Sequence, residues 1–342
     1  MPHRTFILFI FPSMLTMILF IALPIISIAF QSLFVQHRQV MEVVETCDPF
    51  RCIEETRINA EAMAALYEEA PAGRFVGLGT YVDTGHLAFA EIGELWRSTE
   101  DFGAFFSGVF NLPFYDALVF TLAYTVVVTP ISLLLAFLIA LAVNVVPRLL
   151  HGVIIYFSIL PFIVPSLLGS LILFWMLDAR GVIGSSLQVM FNDPDLSVKA
   201  SPTLTWIAIF VYGIWGNASF FFIILYAGLQ TVPRDSLESA MIDGASRFER
   251  VRFVVIPHMR PILIFLALVG IMDNFRVFEA IIGLNAGAYA NSLSTLVFNA
   301  LRSGETPLFG SAAATSLLTI FCIAILMMPS MYRSWVNFKQ KA

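Results

Sequence analysis

Six stretches of this 342-residue chain are long and apolar enough to cross a bilayer: 6–30, 117–143, 153–177, 204–230, 262–284 and 309–331. The hydrocarbon core is about 30 Å thick and a helix rises about 1.5 Å per residue, so about 20 apolar residues span it. A segment in lipid must also satisfy its backbone polar groups within itself or a closed barrel. The pattern therefore predicts an all-α polytopic membrane protein with six transmembrane helices. Composition agrees: 58% of residues are apolar and 13% charged, against about 25% charged in soluble domains. The first stretch exceeds a signal-peptide core and no A-x-A site follows it, so it reads as a retained span.

An even number of spans places both termini on one side. The segments on that side, 1–5, 144–152, 231–261 and 332–342, hold ten Lys and Arg against four acids. Basic residues are held on the cytoplasmic side during insertion, so both termini are expected to be cytoplasmic. The opposite side carries a long segment, 31–115, with thirteen acids and five arginines. Within it 54–70 reads as a helix, being rich in Ala, Glu, Leu and Met. Residues 71–79, with three glycines, read as loop. Cys47 and Cys52 lie in this outer cap, where an oxidising exterior permits a disulfide. Domains follow: 1–30 as first span, 31–115 as extracytoplasmic insertion, 116–332 as core, and 333–342 as tail.

Several chemistries find no support. Cys322 sits alone in an apolar stretch, and no CxxC or Cys/His cluster offers a metal site. The three lysines, Lys199, Lys339 and Lys341, follow no G-x-x-x-x-G, so no phosphate-cradling loop is present. No Ser/His/Asp set appears, and the expectation is a non-enzyme.

The cytoplasmic segment 231–261 has a structure of its own. Pro233 suits a first helical turn, and Asp235 and Glu238 favour a helix N-terminus. Ser236 to Ile242 then form a short helix with small residues Ser239 and Ala240. Gly244 ends it with a sharp turn. A second amphipathic run follows from Ala245 to Val255, and Pro257 and Pro261 punctuate the approach to the fifth span.

Glu238, Ala240, Asp243, Gly244, Ala245 and Pro257 resemble, at matching spacing, the EAA loop of ABC-importer permeases. Ser239, Val254 and Ile256 are volume-tolerant departures. Other likenesses lie at Phe309–Ser316, at Gly181–Leu187 and at Phe275–Leu284, where the tail Leu284–Gly287 is degraded. The resemblance covers residues 1–30 and 112–332 and is nearest the maltose-type first permease. It implies a MetI-like fold in a bacterial inner membrane and a coupling helix that docks in a cytoplasmic ATPase. It also implies partners: a second homologous permease subunit, two cytoplasmic ATPases and an extracytoplasmic solute-binding protein. Lipid surrounds the chain, nucleic acid has no place, and ATP is used by the ATPases, with no cofactor on this chain. The implied function is import of a sugar or sugar-like solute through half of a pore. A polyol or anionic sugar derivative remains open, and a secondary transporter is the rival class.

Polar groups inside spans are costly and tend to face a water-filled cavity. The fourth stretch offers Tyr212, Trp215, Asn217 and Ser219; the fifth offers Asp273, Asn274, Arg276 and Glu279. Asp273, Arg276 and Glu279 are spaced to share a helical face. Asn217 and Asn274 fall near mid-span where the resembled permeases line their cavity, and an amide both donates to and accepts from hydroxyls. Trp215 or Phe220 would present an apolar face to a sugar ring. The expected pathway is thus Trp215, Asn217, Phe220, Asp273, Asn274 and Arg276.

Overall fold

Helices dominate the computed structural model, which describes residues 3–37, 39–48, 51–99, 101–302 and 308–339. Five helices reach spanning length: Phe6–Gln31, Pro113–Val145, Pro202–Leu229, Arg247–Asn274 and Phe309–Pro329. A bent pair, Leu149–Ile163 and Ser166–Met176, whose arms meet at 98°, makes a sixth when the two arms are taken as one span. Hydropathy read straight through this bend. Its cause is Pro165, which drives Val164 to extended backbone (φ −78°, ψ 121°) and stops the first arm. Pro161 stays inside that arm.

Two spans carry a π turn just ahead of a proline: Ile18–Ala22 before Pro24, and Val251–Val255 before Pro257. A proline in a helix lacks a donor, and its ring crowds the carbonyl four residues back. In each case the preceding residue, Leu23 or Ile256, donates instead to the carbonyl five residues back. The widened turn makes room for the ring. Pro257 and Pro261 therefore lie within one continuous helix and do not mark where the fifth span begins.

That helix also ends early. It stops at Asn274, ten residues short of the expected end, and a short helix, Glu279–Gly283, follows. Carbonyls freed at the break are met by distant serines. Ser292 Oγ donates to the Val277 carbonyl at 2.6 Å, and Ser170 Oγ donates to that of Glu279 at 3.0 Å. Gly283 packs against Ser170 and leaves no room for a Cβ. Buried backbone groups need such partners, and here side chains supply them.

Contacts divide the chain into two units. The first comprises Met1–Tyr115 and Leu296–Cys322. Its segment 31–115 departs from the expected helix at 54–70, because residues up to Ile58 are strand. Met41–Asp48 pairs antiparallel with Arg51–Ile58, and the helix runs from Ala60 to Glu69. Asn59 sets that start, its Oδ1 accepting from the Ala62 amide at 2.8 Å. Within the expected loop, Arg74–Phe75 pairs with Phe34–Val35. Gly73 (φ +92°) lies so close to the Val35 carbonyl that a side chain would not fit. Cys47 and Cys52 are direct register partners, but their side chains, and hence the disulfide, lie outside the described residues. His86 is buried, its Nε2 3.1 Å from both the Ser311 carbonyl and the Thr315 hydroxyl of the last helix.

The second unit, Asp116–Thr295 and Ile323–Ala342, holds two apolar clusters. One gathers Phe120, Tyr124, Val128, Ile209 and Ile281; the other gathers Ala136, Phe221, Phe222, Leu225, Met259 and Leu266. Beside the second, Phe221 and Thr129 leave no room for a Cβ at Gly270.

Candidate solute cavity and coupling turn

The two interruptions just described, at Pro165 and at Asn274, open onto one space. A cavity of about 680 Å³ is lined by Pro161–Phe162 and Val164–Ser166 from the bend, and by Asn274, Arg276, Val277 and Glu279 from the break. The fourth span adds Tyr212, Gly213, Trp215, Asn217 and Phe220, and the second span adds Tyr124. All six residues of the expected pathway, Trp215, Asn217, Phe220, Asp273, Asn274 and Arg276, are among its walls. The bend, Tyr124 and Tyr212 complete it. Tyr124 was within reach of the same reasoning, since a phenol in the second apolar stretch is also a polar tip inside a span.

The two asparagines do different things. Asn217 Nδ2 donates to the Gly213 carbonyl at 2.9 Å and to Asn274 Oδ1 at 3.0 Å. Asn274 Nδ2 donates to Thr129 Oγ1 at 2.9 Å, and the residue is only 3% exposed. An amide chain thus ties the second, fourth and fifth spans together at the cavity wall. Asn274 is its buried centre and the last residue of its helix, not a mid-helix position. Asn217 keeps Oδ1 as an acceptor. Arg276 Nη2 donates to Asp273 Oδ1 at 2.8 Å. The expected three-residue helical face does not form, because Arg276 lies beyond the helix end and Glu279 opens the next helix. Phe162 stacks on Phe220 with centroids 5.7 Å apart, while Tyr212 Oη donates to the Ser166 carbonyl at 2.6 Å and holds the bend.

The turn at Gly244 is built from local rules. Helix Arg234–Ile242 ends with Gly244 at φ +83°. The Gly244 amide donates to the Met241 carbonyl at 3.1 Å and the Ala245 amide to that of Ala240 at 2.9 Å. This is the Schellman pattern, which glycine adopts without a Cβ penalty. Two residues later Ser246 starts the next helix with a capping box. Its amide donates to Glu249 Oε2 at 2.7 Å and its Oγ accepts from the Glu249 amide at 3.3 Å. Leu237 packs against the second apolar cluster. Glu238, Ser239, Asp243 and Gly244 are exposed, and Ala240 and Ala245 are half-buried. Met241 and Ile242 are exposed as well, Ile242 at 87%. Of the expected coupling residues only Pro257 lies away from the turn, inside the following helix.

Comparison with known proteins adds four findings. Residues 132–331 match the model of the family described as binding-protein-dependent transport system inner membrane component. A trehalose/maltose transport system permease protein of Thermococcus litoralis is 30% identical over 177 residues, which are 51% of this chain and 59% of that protein. An sn-glycerol-3-phosphate transport system permease protein of Escherichia coli is 28% identical over 230 residues, 65% of this chain and 75% of its own. A chain of a bacterial alginate ABC transporter, solved with its pentasaccharide-bound periplasmic protein, superposes with TM-score 0.56 at 19% identity. That match covers 71% of this chain and 85% of the other, and at such identity it concerns the fold.

Proposed function

Because this chain belongs to the binding-protein-dependent transport system inner membrane component family, we propose that it is a permease subunit of an ATP-driven importer for a sugar or sugar-like solute. One observation carries the reading. The single helix Arg247–Asn274 has its first residue at the cytoplasmic turn and its last at the cavity wall. Its 28 residues amount to about 40 Å at about 1.5 Å per residue. A displacement of the turn therefore reaches the amide chain at Asn274 along a rigid element.

In this reading two cytoplasmic ATPase subunits bind ATP and move the exposed helix Arg234–Ile242, with Glu238, Ser239, Asp243 and Gly244 on the docking side. A second, homologous permease completes the pore, and an extracytoplasmic solute-binding protein delivers the solute. Both termini are cytoplasmic, and the cap at 31–115 faces outward. The chain itself carries out no hydrolysis and holds no cofactor. A carbohydrate is favoured by the aromatic walls together with Asn217 Oδ1 and the free Tyr124 hydroxyl. Relatives named for trehalose and maltose are consistent with that class, while another is named for sn-glycerol 3-phosphate, an anion.

The test is uptake of radiolabelled trehalose by proteoliposomes that hold the complete complex. Uptake should require ATP and the ATPase subunits, and Asn217→Ala and Trp215→Ala should depress it while the complex still assembles. Uptake sustained without ATPases would return the protein to the secondary transporters.

A further inference from the structure

Three ionised side chains line the cavity: Asp273, Arg276 and Glu279. The Asp273–Arg276 contact at 2.8 Å sets one positive against one negative charge, and their fields largely cancel. Glu279 has no hydrogen bond or ion pair for its carboxylate among the described residues, and it is exposed to the cavity. The net fixed charge that this chain contributes to the wall is therefore one negative unit, carried by Glu279. A cleft with low-dielectric walls focuses such a charge, so an entering anion is repelled more than it would be at an open surface.

The remaining polar groups suit hydroxyls. Tyr124 is 4% exposed, and its ring packs edge-on to Phe210 at 5.6 Å. Its hydroxyl meets Gly213 at the cavity wall and makes no hydrogen bond among the described residues. It offers a donor and an acceptor, beside the acceptor Oδ1 of Asn217. Arg276 spends one N–H on Asp273 and keeps the others as donors, so Asp273 offsets its charge without using up its hydrogen-bonding capacity.

Resting on the reading of the cavity as a solute path, we propose that it admits neutral polyhydroxyl solutes and rejects anionic ones, with Glu279 setting the preference. The preference is measurable in the assembled complex without knowing the solute. Trp215→Cys, or Phe220→Cys should the first variant not assemble, presents a thiol to the cavity once Cys47, Cys52 and Cys322 are replaced by serine or alanine. Its reaction rates with a cationic and an anionic methanethiosulfonate, each normalised to a free thiol, give a cation-over-anion ratio. At low salt one uncompensated charge near the thiol should bring that ratio to about tenfold. Glu279→Gln should lower it to about unity, and Arg276→Gln should raise it. A wild-type ratio at or below unity, or one that Glu279→Gln leaves unchanged, overturns the proposal.

Uptake separates this proposal from the importer reading. The wild-type complex should take up trehalose in preference to trehalose 6-phosphate, and Glu279→Gln should narrow the gap. Equal uptake of both would refute the charge preference and leave the importer standing. Absence of ATP-dependent uptake of either would refute the importer reading, and the solute assignment with it.

Discussion

The chain breaks a helix at Gly244 and again at Asn274, and the two breaks are made in opposite ways. At Gly244 every stabilising group lies within a few residues: a glycine in the left-handed region, two amide bonds back into the helix, and the Ser246–Glu249 box. At Asn274 the partners come from far along the chain, from Thr129, Ser170, Asn217 and Ser292. The first break is a self-contained, exposed turn. The second exists only as part of the packed unit, and the cavity forms where that packing leaves room. A locally encoded turn tolerates being pushed as a unit, whereas a break held by tertiary bonds changes when its helices shift.

This contrast makes graded predictions. Asn274→Leu removes the bonds to both Asn217 and Thr129 and should have the largest effect. Interhelical hydrogen bonds in lipid are worth about 0.6–2 kcal/mol each, so a loss of about 2–3 kcal/mol is expected, read as thermal unfolding of the complex in detergent. Gly244→Val places a β-branched residue at positive φ and should cost about 1–2 kcal/mol, with Gly244→Asn costing less. No side chain within 4 Å opposes a Cβ there, so an equal penalty for Asn and Val would show that space, not backbone conformation, matters at this turn. Ser170→Ala frees the Glu279 carbonyl and should cost about 1 kcal/mol, with altered thiol reactivity in the cavity. Ser246→Ala removes a cap and should cost about 0.5–1 kcal/mol without altering that reactivity. If Ser246→Ala changed cavity reactivity and Ser170→Ala did not, the division between local and tertiary breaks would fail.

The same contrast explains what the sequence reveals. The turn was legible in its helix start at Pro233 and its break at Gly244 because these determinants are contiguous, whereas the Ser246–Glu249 box, though equally local, was not read from the sequence. The spans were legible because lipid demands about 20 apolar residues; Asn217, Asp273, Asn274 and Arg276 stood out as polar groups within them, and Trp215 and Phe220 were chosen as apolar faces for a sugar ring. The break at Asn274 was hidden, since Val277–Leu284 is as apolar as the helix before it and the serines that stabilise it lie elsewhere. The bend at Pro165 was half visible, because Pro161 and Pro165 look alike in sequence and only one of them ends a helix. The cap hairpin was missed because Glu54–Ile58 has helical composition, while its strand partner Met41–Asp48 is recognised only by pairing.

The central claim is that the turn at Gly244 and the cavity at Asn274 move together through one helix. The direct test is the reactivity of the Trp215→Cys thiol in the assembled complex, with and without a non-hydrolysable ATP analogue. The account predicts that the analogue changes the rate in the wild-type turn, and that Glu238→Arg with Gly244→Val abolishes the change while leaving the nucleotide-free rate intact. The same nucleotide response in both complexes, with the ATPases bound, would contradict it.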